Sequence, residues 1–261
     1  MTRDDPRATS CARATRSCRT PGVPVVWRAL PGHPPLKISI VIPVYNEEKT
    51  VAQAVRKVLA LDLDKEVLII NDGSSDGTRE ALAPFESMEG VRVFHSPVNF
   101  GKGSTVRIGF AFATGEIVTI QDADLELDPR ELLKLTVPIR EGRADVVYGS
   151  RFMNSGRGGS LSFYIANRAL AGLTNLLFGS RLTDIETCYK VLRRDVIPGL
   201  KLRASRFEIE PEMTAQLLKR GYKIIEMPIA YNARTKEQGK KISWHDGITA
   251  VLTLIEQRFW M

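Results

Sequence analysis

Short runs of β-branched residues, each ended by a polar turn and followed by a stretch of helical period, constrain this chain more than any other feature. Residues 38–42, Ile-Ser-Ile-Val-Ile, are almost continuously apolar and stop at Pro43, the pattern of a strand covered on both faces. Val51, Ala54, Val55, Val58 and Leu59 then recur at helical spacing. Residues 66–70 repeat the strand pattern and lead into the turn Asn-Asp-Gly-Ser-Ser-Asp-Gly-Thr at 71–78. A third strand is expected at 91–95, a helix at about 103–114 and a fourth strand at 116–120. This alternation predicts an α/β fold, a mainly parallel central sheet flanked by helices on both faces. In such sheets ligands gather beyond the carboxyl ends of the strands, and the unusual polar runs all fall there: 45–47, 72–76, 99–103 and 122–126. Further along, helices are expected near 129–140 and 163–178, another opens on 207–212 and runs to about 220, strands are expected at 145–149 and 222–229, and a mobile Gly-, Ser- and Arg-rich loop at 154–160. No repeat or linker interrupts residues 37–261, which are expected to form one domain.

The charge is unevenly spread. Of the net +7, residues 1–36 carry +4, six arginines against Asp4 and Asp5. That segment has no hydrophobic period, and its prolines (Pro21, Pro24, Pro31, Pro34, Pro35) oppose an amphipathic transit helix, so a disordered basic leader is expected. Its charge lacks aromatic interleaving, and no nucleic-acid partner is expected. No apolar run approaches the 18 or so residues of a membrane-spanning helix, and the expectation is a cytoplasmic protein or one peripheral on the cytoplasmic membrane face. Cys11, Cys18 and Cys188 show neither disulfide nor zinc spacing, and Cys188 reads as a packed thiol. His33, His95 and His245 fit no metal spacing.

The chemistry concentrates where the fourth strand opens into Gln121-Asp122-Ala123-Asp124-Leu125-Glu126. A hard divalent cation takes one or two protein carboxylates plus substrate phosphates, so Asp122, Asp124 and Glu126 point to a metal-bound diphosphate. A solvated acidic turn before the helix at Asp128-Pro129 is the plainer reading of such a run alone. Asp72 offers acceptors to a nucleobase edge or ribose, and Asp76 a helix cap. Asn99-Phe100-Gly101-Lys102-Gly103 resembles a phosphate loop without the full G-x-x-x-x-G-K-[ST], and no G-x-G-x-x-G follows the first strand. Residues 43–47 contain no glycine, which disfavours a sugar-phosphate nucleotidylyltransferase.

Together, Pro43-Val44-Tyr45-Asn46-Glu47, residues 72–78, Asn99-x-Gly101-Lys102-Gly103 and Gln121-Asp122-Ala123-Asp124 resemble the family 2 glycosyltransferases of GT-A fold, across essentially all of 37–261. Gly149-Ser150-Arg151-Phe152, Asp184 followed by Tyr189-Lys190, and Arg234 six residues before Lys240 are similar to the polyprenyl-phosphate (dolichyl-phosphate) mannose and glucose synthases. The resemblance implies that Pro43, Tyr45, Glu47, Ile70 and Asp72 hold the nucleoside of a nucleotide sugar such as GDP-mannose or UDP-glucose. Lys102, Asp122, Ala123 and Asp124 would meet the nucleotide sugar, with Asp124 and Glu126 on Mg²⁺ or Mn²⁺, and Arg151, Arg234 and Lys240 would bind phosphate. Two departures stand out: Glu126 replaces the Gln usual in mannose-phosphate synthases, and Lys241 competes with Lys240 for the phosphate contact.

The implied reaction is an inverting displacement at the sugar C1, in which charge growing on the diphosphate meets the metal and basic side chains. A polyprenyl phosphate acceptor is already ionised at neutral pH and requires no base. A saccharide or cell-wall hydroxyl acceptor requires one, and Asp184 and Glu210 are the candidates. A lipid acceptor also calls for a bilayer contact, for which Ile248, Val251, Leu252, Ile255 and Phe259 offer the apolar stripe of an interfacial helix, or of one packed on the core.

Overall fold

The computed structural model describes residues 36–153, 160–234 and 244–260. The leader apart from Leu36, most of the 154–160 loop, and Lys240 and Lys241 lie outside the described residues. A seven-stranded sheet runs in the order β3-β2-β1-β4-β6-β5-β7. Its strands are β1 (Ile38–Val44), β2 (Lys65–Asn71), β3 (Val91–His95), β4 (Ile117–Ile120), β5 (Val146–Ser150), β6 (Lys190–Arg193) and β7 (Ile224–Pro228). All pairings are parallel except those of β6, which runs antiparallel between β4 and β5. The expected mainly parallel sheet is thus present, with one strand that the sequence reading did not foresee.

Helices α1 (Val51–Leu59), α2 (Thr78–Leu82) and α3 (Lys102–Phe112) make the crossovers of the parallel half. Gly109 lets α3 lie close on the sheet, since a Cβ there would stand 2.2 Å from Val41 Cγ1. The helix expected near 129–140 is two short ones, α4 (Glu131–Leu135) and α5 (Val137–Arg140), because Pro138 has no N–H to continue the ladder. Helix α6 (Leu161–Phe178) starts where Ser160 Oγ accepts the Phe163 N–H at 3.3 Å and ends at Gly179, whose φ of 68° makes the left-handed cap. Helices α7 (Ile209–Lys219) and α8 (Trp244–Phe259) pack with α6 around Leu170, Ile185, Ala215, Ala250 and Leu254, a second core beside the one that covers the sheet. No helix among the described residues is long and apolar enough to cross a membrane.

Candidate active site

The chain builds β1, then β2 and β3 to one side, and returns for β4 on the other side of β1. That reversal opens a crevice at the carboxyl ends of β1 and β4. A cavity of about 620 Å³ fills it. Pro43, Tyr45 and Glu47 come to it from the end of β1, Asp72 from the end of β2, and Asp122, Ala123, Asp124 and Glu126 from the end of β4. Lys102, Arg151 and Arg234 complete the predicted residues on its wall. Ile70 does not reach it: its side chain is 2% exposed and packed in the core. Asp184 is fully buried and is not part of the wall either.

Each carboxylate near the cavity has a traceable neighbourhood. Asp72 Oδ1 and Oδ2 accept the backbone N–H groups of Phe100 and Gly101 at 2.8 and 2.7 Å, so the side chain read as a nucleoside acceptor also holds the 99–103 loop. That loop has glycines for close packing: Cβ atoms at Gly101 and Gly103 would stand 2.3 and 2.4 Å from the carbonyl oxygens of Ser205 and Ala204. It delivers Lys102, whose Nζ lies 2.9 Å from Asp122 and 3.2 Å from Glu210. Burial favours a neutral Asp122, but the adjacent ammonium outweighs it and holds the carboxyl below its usual range. Asp124 forms no ion pair among the described residues, although the Glu126 N–H and the charge of Arg234 favour its ionised form. Burial, then the charges of Asp122 and Glu126, push it up to about 7. Leu125 between them takes φ of 64°, a strained conformation for a branched side chain, of the kind that clusters at ligand sites. Asp124 Oδ1 accepts the Glu126 N–H at 3.0 Å, and Glu126 Oε1 accepts the Arg234 N–H at 2.8 Å.

An excess of mutually destabilising carboxylate oxygens is the donor set that a hard divalent cation relieves. Among the described residues no three His, Cys, Asp or Glu side chains hold a metal by themselves. Asp124 and Glu126 therefore fit a cation that shares its shell with phosphate oxygens, rather than a closed protein cage.

The basic groups divide into spent and unspent. Arg234 Nη1 and Nη2 are taken by Glu47 at 3.2 and 3.0 Å. Lys190, fully buried, gives its three protons to Ile185 O, Thr187 O and Glu210 Oε2. Arg151 donates Nε and Nη2 to Asp184 at 2.7 and 2.8 Å, with its guanidinium carbon 5.3 to 5.5 Å from the ring centroids of Phe152, Phe163 and Tyr231. Its Nη1 makes no hydrogen bond among the described residues.

The cavity also contains residues that sequence reasoning missed. Glu186, Cys188, Phe163 and Tyr231 line it, and the buried Cys188 thiol donates to Asp122. Burial pushes that thiol well up, so it acts as a hydrogen-bond donor beside Asp122 rather than only as packing.

The comparisons with known proteins bear on the fold and the family. A dolichol-phosphate mannosyltransferase of Pyrococcus furiosus is 28% identical over 215 residues, 78% of this chain, and the match spans 59% of that relative's length. Glucosyl-3-phosphoglycerate synthase of Mycobacterium tuberculosis in complex with UDP shares the fold at TM-score 0.66 and 21% identity, over 85% of this chain and 80% of that one. The same enzyme with Mn²⁺, UDP-glucose and phosphoglyceric acid aligns at TM-score 0.64 and 21% identity, over 85% of this chain and 79% of that one. The sequence profile of glycosyl transferase family 2 covers residues 39–199, strands β1 to β6 with the acidic loop between them, and the chain belongs to that family.

Proposed function

We propose that this glycosyltransferase moves a hexose, mannose or glucose, from a nucleotide sugar to a polyprenyl phosphate with inversion at C1, using Mg²⁺ or Mn²⁺. One observation carries the reading: a single cavity contains the acidic loop 122–126 and, apart from it, a guanidinium with an unspent edge, Arg151. The first suits a metal-bound diphosphate and the second a separate phosphate group. The name of the Pyrococcus relative supports a lipid-phosphate acceptor, and the Mycobacterium complexes with UDP-glucose and Mn²⁺ support a nucleotide-sugar donor and a divalent ion.

In this reading Tyr45, Glu47 and Asp72 border the nucleoside pocket, and Asp124 with Glu126 would hold the cation. When bound, that cation supplies positive charge to the departing diphosphate. Lys102 neutralises Asp122 and keeps it from opposing the donor, and Arg234, anchored on Glu47, adds positive charge beside the acidic loop. Arg151, held rigid by Asp184, orients the acceptor phosphate, whose second ionisation near about 6 leaves it a nucleophile at neutral pH without a base. The hydroxyl-acceptor alternative with Asp184 as base has less support, since Asp184 has no exposure and both its oxygens are taken by Arg151.

A polyprenyl acceptor lies in a bilayer, and α6 offers a face for it. Leu161, Ile165 and Leu176 are 56%, 57% and 82% exposed on α6, and Ile248, Leu252 and Phe259 of α8 are 51%, 60% and 65% exposed. Helix α6 contains no acidic residue, packs beside α8 and starts at the cavity, where Phe163 is part of the wall. This continuity supports a peripheral membrane contact. The test is transfer of radiolabelled sugar from GDP-mannose and UDP-glucose with Mg²⁺ or Mn²⁺. The expected product is organic-soluble and labile to mild acid; label found only in water-soluble glycan refutes the lipid-phosphate acceptor.

A further inference from the structure

Three ion pairs lie at or behind the cavity wall, and a neighbouring carboxylate stands outside them. Lys102, Arg151 and Lys190 meet Asp122, Asp184 and Glu210 at 2.9, 2.7 and 2.5 Å, three cations on three carboxylates. Glu186 is a fourth carboxylate, and among the described residues it forms no ion pair. It lines the cavity, and its Oε1 is buried without a hydrogen-bond donor among the described residues. Lys190, the cation whose charge acts most on it, has no proton left to give. Burial raises the Glu186 carboxyl to about 7, with Glu210 and Asp184 adding to the effect and Lys190 and Arg151 opposing it. An anion arriving beside such a group favours its neutral form further.

Phosphate oxygens only accept hydrogen bonds, so a wall built to receive them needs donors. The Nη1 edge of Arg151 is one, and a carboxylic acid becomes another only while it keeps its proton. We propose that Glu186 in its acid form donates its O–H to the acceptor phosphate beside Arg151, and that acceptor binding takes up one proton from solvent onto Glu186. The inference rests on the phosphate-acceptor reading above and assigns Glu186 an acceptor-binding role. An O–H to a phosphate oxygen is among the stronger hydrogen bonds, and the same site with Glu186 ionised repels the acceptor. Glu186 thereby couples acceptor affinity to pH.

The test measures initial rates of labelled transfer to a short polyprenyl phosphate in detergent from pH 6 to 9, for the wild type, Glu186→Gln and Glu186→Ala. In the wild type the acceptor KM is expected to rise about tenfold per pH unit above the Glu186 ionisation, the slope of one linked proton. Glu186→Gln keeps a donor that does not titrate, so its KM is expected to stay near the wild-type low-pH value across the range. Glu186→Ala is expected to raise KM about tenfold or more at pH 6.5 with the donor KM unchanged. Loss of turnover in Glu186→Gln with acceptor KM intact overturns the proposal and makes Glu186 a base. Unaltered kinetics in both variants overturns it in favour of packing. If Glu186→Ala does not fold, the near-isosteric Glu186→Gln decides alone. A wild-type enzyme that labels a saccharide and leaves polyprenyl phosphate untouched sinks the acceptor reading itself, before any variant is compared.

Discussion

Asp184 separates a structural from a catalytic account most sharply. Its carboxylate is fully buried and accepts Arg151 N at 3.0 Å, Nε at 2.7 Å and Nη2 at 2.8 Å. A base must come within hydrogen-bond reach of the proton it takes, and this one is screened by the guanidinium it holds. Removing one partner of a buried pair leaves the other charge uncompensated, at a cost of about 3–5 kcal/mol. In a domain of this size each kcal/mol shifts Tm by roughly 2–4 °C, so Asp184→Ala is expected to melt roughly 6–20 °C lower. Asp184→Asn keeps the shape but loses the charge, and about 3 kcal/mol is expected. The cycle of Arg151→Met, Asp184→Leu and the double variant should show a coupling of about 0.5–3 kcal/mol, the double variant being less damaged than the sum. Urea unfolding followed by circular dichroism reads each value. The reasoning is refuted if Asp184→Asn unfolds within about 0.5 kcal/mol of wild type while kcat falls on the order of 100-fold with donor binding intact, for Asp184 is then a base.

Three other expectations follow from the ionisable groups and the exposed face. Burial opposes ionisation of Glu66, but hydrogen bonds from Ser39 and Thr114 and the charge of Lys37 outweigh it and bring the carboxyl from 4.5 down to about 2. A depressed carboxylate stabilises the fold above its unfolded pKa and loses that contribution as pH falls, so roughly 3 kcal/mol should disappear between pH 4.5 and 2, and acid titration of Glu66→Gln should lack that limb. Asp124 shifts the other way, from 3.8 up to about 7, so the metal-free fold should weaken as pH rises through that window. Asp124→Asn is expected to be more stable than wild type at pH 8 without metal, by on the order of 1–3 kcal/mol, and to lose the thermal shift given by nucleotide sugar with Mn²⁺. Leu176→Ser and Leu252→Ser, at side chains 82% and 60% exposed, should leave Tm within about 2 °C and reduce co-sedimentation with vesicles containing polyprenyl phosphate.

The parallel half of the molecule was legible because its signals are local. β1 and β2 are short and buried, β3 is short and half-buried, all three are ended by polar turns, and they lie within a residue or two of the expected positions. The acidic loop was legible for the same reason: three carboxylates two residues apart after a strand do not need a fold to be noticed. What the sequence did not disclose is how side chains are spent. Asp72, Asp184 and Lys102 look equally available as letters, yet one clamps a loop, one is consumed by Arg151 and one neutralises Asp122. These partners lie 20 to 33 residues apart, so only the tertiary fold brings them together. The exposed apolar side of α6 escaped notice because an apolar stripe announces burial, and only the packing of α6 on α7 and α8 reveals which stripe is left outside.

The missed residues Glu186 and Cys188 have one cause, the direction of β6. In a parallel sheet functional side chains follow the strands, and the search for polar runs after each strand found the loops of β1, β2, β3 and β4. Strand β6 runs the other way: Lys190 pairs with Tyr148 and Val191 with Thr119, so its beginning lies at the end where β4 and β5 finish. Residues that precede β6 therefore face the cavity, and the segment 184–190 delivers Glu186 and Cys188 to it while Lys190 ties Glu210 of α7 to the sheet. An antiparallel strand placed next to the switch point adds its leading segment to the loops that reach the site from that half of the sheet. It also explains why four residues of strand are enough: Lys190 is fixed by Ile185 O, Thr187 O and Glu210 at its first position, and Arg193 is fixed by Asp145 at its last.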